Sequence, residues 1–532
     1  MAAPKSSFRH KDTAGLVDSA SHILHDGPIN ANYPTRSLQF LSALRKPEPN
    51  STTTTAAPPT ATAEEKATNG TTTPAPVEPL NILIIGAGIC GLSTAIALRL
   101  SSPSHSPSPH RITIIEQSPT LSEIGAGVQI PPNATRLLLR WGVGPHLKPH
   151  VVEPDGSVFR RWEDGAVIGR AKLMPEVGRW FGGDGGDGGG EGSAPYWVVH
   201  RADYQRALFE RAREVGVEVV FGRRVVRIDE GRGAVVWEGV GEDGGPDGRE
   251  GEMLGDLVVA ADGIHSEGRK AVLGDRDQPP VLTGLAAYRA TIPAEKIKSD
   301  PDTAWMMDSY IQNGWFGPAR HVVAYTIAGG DCINVVLIHP EPSDPSTWRQ
   351  ETALEDMKKQ FVGWEPSVTK LVSLIDRTLK WPMIAGQALG RWVSESGKVV
   401  IVGDAAHAML PFMSQGGAQA VEDGASLATL ISSISSKSEL LAALHVFEDL
   451  RIPRTAQVQQ GSFVNGRIFH FQDGPEQRAR DEAMRDEAEG RHYIQSPNGL
   501  SDPTTQIWLY SYDAEEETRK AWEKEKRHDA KL

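Results

Sequence analysis

Short apolar runs alternate with helical patterns along the chain from residue 80 onward. The runs NILIIG, from Asn81, and RITIIE, from Arg111, are rich in β-branched residues and predict strands. Between them, CGLSTAIALRL places apolar residues at helical spacing, so the three segments predict a βαβ unit. The runs VEVVFG, DLVVAADG and KVVIVGD predict further strands. This part of the chain therefore predicts an α/β fold.

The middle of the chain carries a different pattern. From Gly284 to about Pro340, apolar and polar residues alternate in AAYRATI, HVVAYTI and INVVLIH, which is typical of an antiparallel sheet. After Asp423 the chain turns mostly helical. We therefore predict one α/β domain in two parts, residues 80–275 and 391–435, interleaved with an antiparallel-sheet domain, residues 276–390. A helical region, residues 436–532, completes the chain.

Low-complexity segments interrupt these patterns. Between Pro49 and Pro79 the residues are almost entirely Ser, Thr, Ala, Pro, Asn and Glu, a composition that buries too little apolar surface to fold. We predict that residues 1–79 form a disordered tail. Glycine-rich stretches near residues 182–192 and 239–251 predict loop insertions, the second of them a long hairpin connection.

Composition and charge narrow the classes of function. The 532 residues carry a net charge of −13, which argues against nucleic acid as a partner. Two cysteines cannot form a disulfide framework, and neither cysteines nor histidines have metal-binding spacing, so we expect no metal. The sequence contains no apolar run of the roughly eighteen residues that a membrane span needs, and it lacks the pattern of a secretory signal. We therefore expect a cytoplasmic protein without a transmembrane segment.

The first chemical motif is the turn in NILIIGAGICGL, where Gly86, Gly88 and Gly91 give the spacing G-x-G-x-x-G. The first glycine permits a tight turn, the second lets the backbone approach a pyrophosphate, and the third lets the helix pack closely on the strand. Glu116 ends the next strand, where an acid can bind ribose hydroxyls. The motif predicts a Rossmann-like dinucleotide site, and the acid favours FAD or NAD over NADP.

A second glycine-rich segment, KVVIVGDAAHAMLPFMSQGGAQAVEDG, follows a strand near the other end of the chain. No second G-x-G-x-x-G follows any other strand, so Gly403 and Asp404 are expected to serve the same cofactor from another side. An aspartate at a strand end can accept hydrogen bonds from a polyol, and a helix that begins near Gly416 offers free N–H groups. This arrangement fits the ribityl chain of FAD, with its isoalloxazine toward residues 411–417.

Together these segments resemble the flavoprotein aromatic hydroxylases, the group that includes salicylate and 4-hydroxybenzoate hydroxylases. The similarity is strongest to the fungal salicylate-hydroxylase-like FAD-dependent monooxygenases and covers about residues 80–522. Beside the two segments above, the motifs are EIGAGVQIPPNATRLL, HRADYQRAL, DLVVAADGIHSEGR, AAYRA and WFGPARHVVAYTI. The chain departs from the family's pattern at Gly268, where an apolar residue is common, at Thr326, where many members have proline, and in GGA, which replaces GAG or GAA.

The resemblance implies roles for residues around the cofactor. Glu116 would bind the adenosine ribose, and Gly127 would approach the flavin. Arg201 and Asp404 would contact the FAD chain, and Gly417 would lie near the isoalloxazine. A salt bridge between domains is the alternative role for Arg201.

The resemblance also implies roles near the second dinucleotide and the substrate. Asp262 would serve FAD and NAD(P)H binding, with a helix or turn cap as the alternative. Arg289 would pair with a phenolate or carboxylate, and Tyr325 would hydrogen-bond a ring hydroxyl and assist its deprotonation. The alternatives are an arginine paired with an acid on the sheet and a core tyrosine. His321 and His407 are expected to pack or hydrogen-bond rather than act as bases.

The function that the resemblance implies is an FAD-dependent monooxygenase that consumes NADPH or NADH and O2. It would hydroxylate a small phenolic or salicylate-like aromatic through a flavin C4a-hydroperoxide, in fungal secondary metabolism or aromatic catabolism, as a monomer or homodimer. Two alternatives stay open, namely a flavin-dependent epoxidase or dehydrogenase acting on a natural-product intermediate, and a non-catalytic flavin-binding redox sensor. The presence of Arg289, Tyr325 and the uninterrupted Gly-Asp segment favours catalysis.

Overall fold

The structure is a computed structural model that describes residues 79–101, 110–121, 126–173 and 194–529. The predicted disordered tail, apart from its last residue, and the glycine-rich insertion near residues 182–192 lie outside these ranges. The strands are β1 (Asn81–Ile85), β2 (Arg111–Ile115), β3 (Gly127–Ile130), β4 (Gly156–Arg161), β5 (Val167–Lys172), β6 (Trp197–His200), β7 (Glu218–Val220), β8 (Arg223–Asp229), β9 (Ala234–Val240), β10 (Pro246–Leu254), β11 (Leu257–Ala260), β12 (Val281–Pro293), β13 (Ile311–Gly317), β14 (Arg320–Ile327), β15 (Cys332–Pro340), β16 (Leu379–Ala385) and β17 (Val399–Ile401).

The helices connect the strands and dominate the C-terminal part of the described chain. They are α1 (Ile89–Ser101), α2 (Pro132–Arg140), α3 (Gly144–Leu147), α4 (Arg201–Glu214), α5 (Glu267–Leu273), α6 (Ala294–Lys298), α7 (Ala353–Gln360), α8 (Pro366–Ser373), α9 (Asp404–His407), α10 (Gly416–Ser433), α11 (Leu440–Phe469), α12 (Pro475–Ala483), α13 (Arg485–Ala488), α14 (Pro503–Tyr510) and α15 (Ala514–Asp529). Within the described ranges, every helix is too short or too polar to cross a bilayer.

A parallel five-stranded sheet has the order β17-β11-β1-β2-β7. Its central strand β1 pairs with β11 on one side and β2 on the other, so that Ile84 lies between Val259 and Ile114. All three side chains are fully buried. A parallel sheet that is covered on both faces requires continuous apolar strands, which explains the runs NILIIG and DLVVAA. The predicted α/β fold with its Rossmann-like sheet is confirmed.

Two helices from distant parts of the chain pack against each other beside this sheet. Most of α1, from Cys90 to Leu98, is buried, and α10 packs against it. A Cβ atom on Gly424 of α10 would lie 2.9 Å from the Cα atom of Thr94 in α1. Glycine at this position therefore allows the two helices, and the turns that precede them, to come together.

A second sheet has seven strands in the order β16-β12-β15-β14-β13-β4-β5. Its strands are antiparallel except for the parallel pair β13 and β4. Strands β12 to β15 match the predicted antiparallel sheet. However, β4 and β5 come from residues 156–172, which the sequence pattern assigns to the α/β part. Pairing between segments so far apart leaves no local trace in the sequence, and the exact domain boundaries stay a prediction.

Smaller sheets complete the architecture. Strands β8, β9 and β10 form an antiparallel meander, and β3 pairs with β6. The glycine-rich stretch near residues 239–251 forms a hairpin in which β9 ends at Val240 and β10 begins at Pro246. Much of this predicted connection is therefore itself strand.

Candidate active site

A cavity of about 450 Å³ opens between the two large sheets. The turns that follow β1 and β11 line it with Gly88 and Gly263, and the N-terminus of α10 lines it with Gly416. The seven-stranded sheet contributes Arg289 and Tyr325. Ligands of α/β proteins bind at the carboxyl ends of parallel strands, which is where this cavity lies.

The three glycines of the first motif differ in the space around them. Gly86 has a φ of +97°, and a Cβ atom there would lie 2.6 Å from the carbonyl oxygen of Ala261. A Cβ atom on Gly91 would lie 2.0 Å from the carbonyl oxygen of Gly86. Beside Gly88, by contrast, no atom lies within 4 Å of the position of a Cβ. Two glycines thus build the turn, and Gly88 leaves open space at the N-terminus of α1.

Glu116 is held against the glycine turn. Its Oε2 atom accepts a hydrogen bond of 2.7 Å from the backbone N–H of Ala87, and its Oε1 atom accepts one of 2.8 Å from the N–H of Ser118. Each carboxylate oxygen can accept a second hydrogen bond. The carboxylate is therefore fixed in orientation and keeps the capacity to bind a hydroxyl.

Asp404 begins the short helix α9 directly after Gly403, whose φ is +61°. The carboxylate of Asp404 lines the cavity and is accessible from it, although protein surrounds it on the other sides. Burial raises the pKa of this carboxyl, and the nearby His407 and Arg201 partly oppose that shift. Asp404 thus presents a polar acceptor to the cavity.

A buried charged network fixes the turn that carries Asp404. The Oδ2 atom of Asp423 accepts hydrogen bonds from the backbone N–H of Gly403, at 2.9 Å, and from Nε2 of His407, at 2.6 Å. Its Oδ1 atom accepts a hydrogen bond of 2.8 Å from Nε of Arg451. Burial alone would raise the pKa of Asp423, but His407 and Arg451 outweigh it and lower the pKa. His407 is thus a hydrogen-bonding residue, as expected.

The same network extends to α11 and α2. Glu422 is fully buried and forms ion pairs of 2.6 Å with both Arg451 and Arg454 of α11. Its Oε1 atom also accepts a hydrogen bond of 2.7 Å from Asn133 of α2. The negative charges of two buried carboxylates are therefore balanced by the positive charges of two guanidinium groups. This network was not predicted from the sequence, although adjacent acids inside an otherwise apolar helix are a signal for buried cationic partners.

The N-terminus of α10 forms another wall. Gln415, Gly416 and Gly417 all line the cavity, and the first backbone N–H groups of a helix lack partners within the helix. Beside Gly417 no atom lies within 4 Å of the position of a Cβ. A flat ring can approach the main chain at such a position.

Arg201 and Asp262 occupy different surroundings. Arg201 is the first residue of α4, lines the cavity and lies close enough to Asp404 to oppose part of the rise in the pKa of that carboxyl. The Oδ2 atom of Asp262 accepts hydrogen bonds from the N–H groups of Glu267, at 2.8 Å, and Gly268, at 3.0 Å, while Oδ1 accepts one from the hydroxyl of Ser266. This geometry favours the helix-cap alternative for Asp262, since its carboxylate is engaged at the start of α5.

Arg289 and Tyr325 project from the same face of the seven-stranded sheet. Arg289 is in register with Val336, which is in register with Val323, two residues from Tyr325. Burial lowers the pKa of Arg289 and raises that of Tyr325, although each group opposes the shift of the other. The sheet thus presents a guanidinium group and a neutral phenol to one cavity.

Gly127 allows the sheet to approach β3 beside Tyr325. A Cβ atom on Gly127 would lie 2.7 Å from the hydroxyl oxygen of Tyr325 and 2.8 Å from Cγ of Asn334. The N–H of Gly127 donates a hydrogen bond of 2.7 Å to Oδ1 of Asn334. The predicted contact of Gly127 with the flavin stays a prediction, whereas its close approach to the seven-stranded sheet follows from these distances.

The far end of the cavity is aromatic. The rings of Phe316 and Phe469 stack with centroids 4.2 Å apart, and Phe159 lies 5.3 Å from Phe316. Phe412 and His321 also line this end. The sequence analysis did not predict this cluster, because its members come from four separated segments of the chain.

The cavity has the features that FAD requires. Open space lies beside Gly88 and Gly417, each near a helix N-terminus that favours negative charge or a hydrogen-bond acceptor. Arg201 and Asp404 add a cation and an acceptor at the wall of the cavity. The described residues fit an elongated dinucleotide, which the open space beside Gly88 and the wall at Gly417 would hold.

Comparison with known proteins also indicates that this chain binds FAD. Over residues 80–462 the chain matches the family described as FAD binding domain. An FAD-dependent monooxygenase of Beauveria bassiana (strain ARSEF 2860) is 36% identical over 437 residues, which span 82% of this chain and 96% of the relative. The chain belongs to the FAD-dependent monooxygenases. The resemblance found in the sequence is thus confirmed.

Two further comparisons describe the breadth of this family. A 3-hydroxybenzoate 6-hydroxylase of Polaromonas naphthalenivorans (strain CJ2) is 30% identical over 437 residues, or 82% of this chain and 96% of the relative. A solved salicylate hydroxylase substrate complex has the same fold, with a TM-score of 0.63 and 24% identity over 83% of this chain and 98% of the solved one. The enzyme is an FAD-dependent monooxygenase of the aromatic hydroxylase family, which uses NAD(P)H and O2. The roles of individual residues stay predictions.

Proposed function

We propose that the enzyme hydroxylates a small aromatic compound that carries a phenolic hydroxyl and an acidic substituent. The observation that carries this proposal is the pair Arg289 and Tyr325, which line the same cavity as the glycine turn and the N-terminus of α10. A buried guanidinium group is a strong partner for a carboxylate or phenolate. The relative that acts on 3-hydroxybenzoate supports the same substrate class.

In this proposal, Arg289 pairs with the acidic substituent, and the hydroxyl of Tyr325 donates a hydrogen bond to an oxygen of the bound ring. Because its raised pKa keeps Tyr325 protonated at neutral pH, it acts as a donor. Bound FAD supplies the oxidising chemistry, with NAD(P)H as electron source and O2 as the source of oxygen. The apolar wall around Phe316 and Phe469 packs against the ring and excludes water.

The protein's part in the reaction is orientation. A ring fixed at two points reacts as part of one assembly, which removes much of the entropic barrier to meeting the oxidant. The loss of one such contact costs about 1–3 kcal/mol, which corresponds to about 5- to 150-fold in the rate of hydroxylation. Electron transfer from NAD(P)H and reaction with O2 do not require the ring to be fixed in this way.

A substrate panel tests the proposal. The FAD-loaded protein would be mixed with NADH or NADPH and with salicylate, 3-hydroxybenzoate, 4-hydroxybenzoate or 3-amino-4-hydroxybenzoate. Oxidation of the nicotinamide, oxygen uptake and product mass would be followed together. We expect hydroxylated product from at least one compound; oxidation that yields only hydrogen peroxide with every compound would contradict the proposal.

Substitutions test the roles of the two residues. In Arg289→Met, which keeps the apolar stem of the side chain, and in Tyr325→Phe, we expect FAD content to stay unchanged and product to fall about 5-fold or more. Electrons should then leak to hydrogen peroxide. Tyr288→Phe is the matched control, because Tyr288 is a buried tyrosine next to Arg289 that packs in the core on the other side of the sheet. If both variants form as much hydroxylated product per NAD(P)H oxidised as the parent does, neither side chain positions the substrate.

A further inference from the structure

A buried loop forms part of the cavity wall. Residues 496–502 lie between α13 and α14 and contain neither helix nor strand, yet Ser496, Asn498, Ser501 and Asp502 are each at most 3% exposed. Loops ordinarily run over the surface, because a buried backbone needs a partner for each of its polar groups. We call residues 496–502 the C-terminal strap.

Hydrogen bonds of side chains hold the strap together. The hydroxyl of Ser496 donates to Oε1 of Glu487 in α13, at 2.6 Å, and accepts a hydrogen bond of 3.1 Å from the N–H of Asn498. The hydroxyl of Ser501 donates to that of Ser496, at 2.9 Å. The Oδ1 atom of Asp502 accepts a hydrogen bond of 3.1 Å from the N–H of Ser496. Ser496 therefore joins the two ends of the strap and fastens both to α13.

The strap is also bound to the turn that carries Phe412, a residue of the cavity lining. The N–H of Gly499 donates a hydrogen bond of 2.9 Å to Oδ1 of Asn465 in α11. The Nδ2 atom of Asn465 donates one of 2.8 Å to the carbonyl oxygen of Phe412. A Cβ atom on Gly499 would lie 2.9 Å from Sδ of Met413. Glycine therefore lets the strap lie directly against this turn.

Leu500 is the residue of the strap that lines the cavity. Its side chain is half-buried and packs against the cluster that contains Phe316 and Phe469. Its N–H donates a hydrogen bond of 3.0 Å to Oδ1 of Asn498, and its carbonyl oxygen accepts one of 2.6 Å from Nε2 of Gln506 in α14. Both polar groups of its backbone are thus engaged, which fixes the position from which the side chain extends.

The surroundings of Leu500 belong to the substrate side of the cavity. Val336 packs against the same aromatic cluster as Leu500, and Val336 is in register with Arg289. Residues in register on neighbouring strands point to the same face of a sheet. The match to the FAD binding domain ends at residue 462, before the strap begins. Leu500 therefore borders the space beside Arg289 rather than the glycine turn.

We propose that Leu500 limits the size of the substrate, so that the enzyme takes hydroxybenzoates and excludes rings with a bulky apolar substituent directed at the strap. The inference rests on the proposed function and adds a specificity-determining residue to it. A leucine on a loosely held loop could move aside for a larger ring. Leu500 cannot move in this way unless the strap gives up buried hydrogen bonds, and a buried polar group without its partner is costly.

Binding measurements test the proposal without turnover. The probes are salicylate and 3-hydroxybenzoate and, for each of them, the derivatives that carry a propyl group at one free ring carbon. Each compound would be titrated into the oxidised, FAD-loaded protein in the absence of NAD(P)H. The change in flavin absorbance and, independently, calorimetry would give its Kd. FAD content and unfolding temperature would be recorded for every variant.

The main variant is Leu500→Ala, which removes three carbon atoms, as many as a propyl group adds. The matched control is Leu285→Ala, because Leu285 is a half-buried leucine that packs against the same aromatic cluster away from the cavity lining. Leu500→Val removes one carbon atom and serves if Leu500→Ala fails to fold. Ser496→Ala keeps Leu500 but removes three of the hydrogen bonds that hold the strap.

We expect the parent to bind the propyl derivatives about 10-fold or more weakly than the compound from which each derives. Leu500→Ala should bind at least one derivative about 10-fold or more tightly than the parent does, with a smaller change for salicylate and 3-hydroxybenzoate. Leu500→Val should show a gain of about 4-fold for the same derivative. Ser496→Ala should shift the ratio of the two Kd values in the same direction, and Leu285→Ala should keep the parent's ratio.

The outcomes separate this inference from the function on which it rests. Equal ratios of Kd in the parent and in Leu500→Ala, or an equal shift in Leu285→Ala, overturn the role of Leu500. A parent that binds the hydroxybenzoates but converts O2 only to hydrogen peroxide contradicts the proposed function, while the Kd ratios still decide the role of Leu500. A parent that binds neither salicylate nor 3-hydroxybenzoate overturns the assigned substrate class and this inference with it.

Discussion

The glycines of the cavity permit a test of where FAD binds, because an added methyl group meets very different surroundings at each. At Gly88 and Gly417 the methyl would meet no protein atom within 4 Å. At Gly91 it would lie 2.0 Å from the carbonyl oxygen of Gly86. Gly88→Ala and Gly417→Ala should therefore affect the bound cofactor, and Gly91→Ala should affect the fold itself.

The magnitudes follow from these contacts. An ordinary contact begins near 3.4 Å, so Gly91→Ala requires the turn and the helix to separate by about 1.4 Å. Overpacking of this kind costs about 1–3 kcal/mol or more. Gly417→Ala lies in the first turn of α10 and should leave the apoprotein unchanged or more stable by up to about 1 kcal/mol. If the methyl displaces a hydrogen bond to a charged or polar part of FAD, binding should weaken by about 1.5–3 kcal/mol, or about 10- to 100-fold.

Two measurements on each flavin-stripped variant separate these effects. Thermal unfolding of the apoprotein reports on the fold, and titration with FAD, followed by the quenching of flavin fluorescence, reports on binding. Gly88→Ala and Gly417→Ala should melt like the parent and bind FAD weakly, whereas Gly91→Ala should melt at a lower temperature. If Gly88→Ala and Gly417→Ala both bind FAD with the parent's affinity, the cofactor does not follow the path inferred from the open space.

Two further predictions concern carboxylates. Asp404→Ala should lower FAD content at limiting FAD with little change in unfolding temperature. Asp262→Ala removes the cap of α5 and should lower the unfolding temperature. The reverse pattern would refute both assignments. Glu487 is 2% exposed, its Oε2 atom has no hydrogen-bond partner, and burial raises its pKa to about 7 from an ordinary 4.5. Because the folded pKa is the higher one, the stability linked to this group is complete below pH 4.5 and is lost as the pH rises through about 7. Glu487→Gln should therefore stabilise the protein by up to about 3 kcal/mol at pH 9 and by little at pH 4.5. Chemical unfolding at both pH values measures the difference. An equal gain in stability at the two pH values would contradict this prediction.

Local motifs with strict steric demands were predictable from the sequence. The strand, the glycine turn and the helix of the first motif follow from contacts within a few residues, as the closeness of Gly91 to Gly86 demonstrates. The Gly-Asp segment was predictable for the same reason, since Gly403 has a backbone conformation that other residues rarely adopt. The alternation in HVVAYTI also puts His321 on the same face as Tyr325, a signal that the sequence analysis did not use.

Features that depend on distant partners were not predictable. Nothing near Asp423 in the sequence indicates that its carboxylate binds Gly403 and Arg451. From the sequence, Asp262 could either cap the turn that follows it or bind a ligand. Which backbone N–H groups its carboxylate contacts depends on the fold. The departure from the family's pattern at Gly268 also has a tertiary cause, since a Cβ atom there would lie 2.1 Å from that of Ala260.

The order of strands in the parallel sheet has a consequence for biosynthesis. Strand β11 can pair with β1 once both have left the ribosome, but its other neighbour, β17, is made only after the whole of β12 to β16. Until then the apolar backbone edge of Leu257–Ala260 has no partner, and unpaired edges of this kind favour association between chains. This edge of the nascent chain therefore needs shielding during the interval, by its own partly folded segments or by a chaperone. The cavity, which the N-terminus of α10 lines, is likewise incomplete until that helix has emerged.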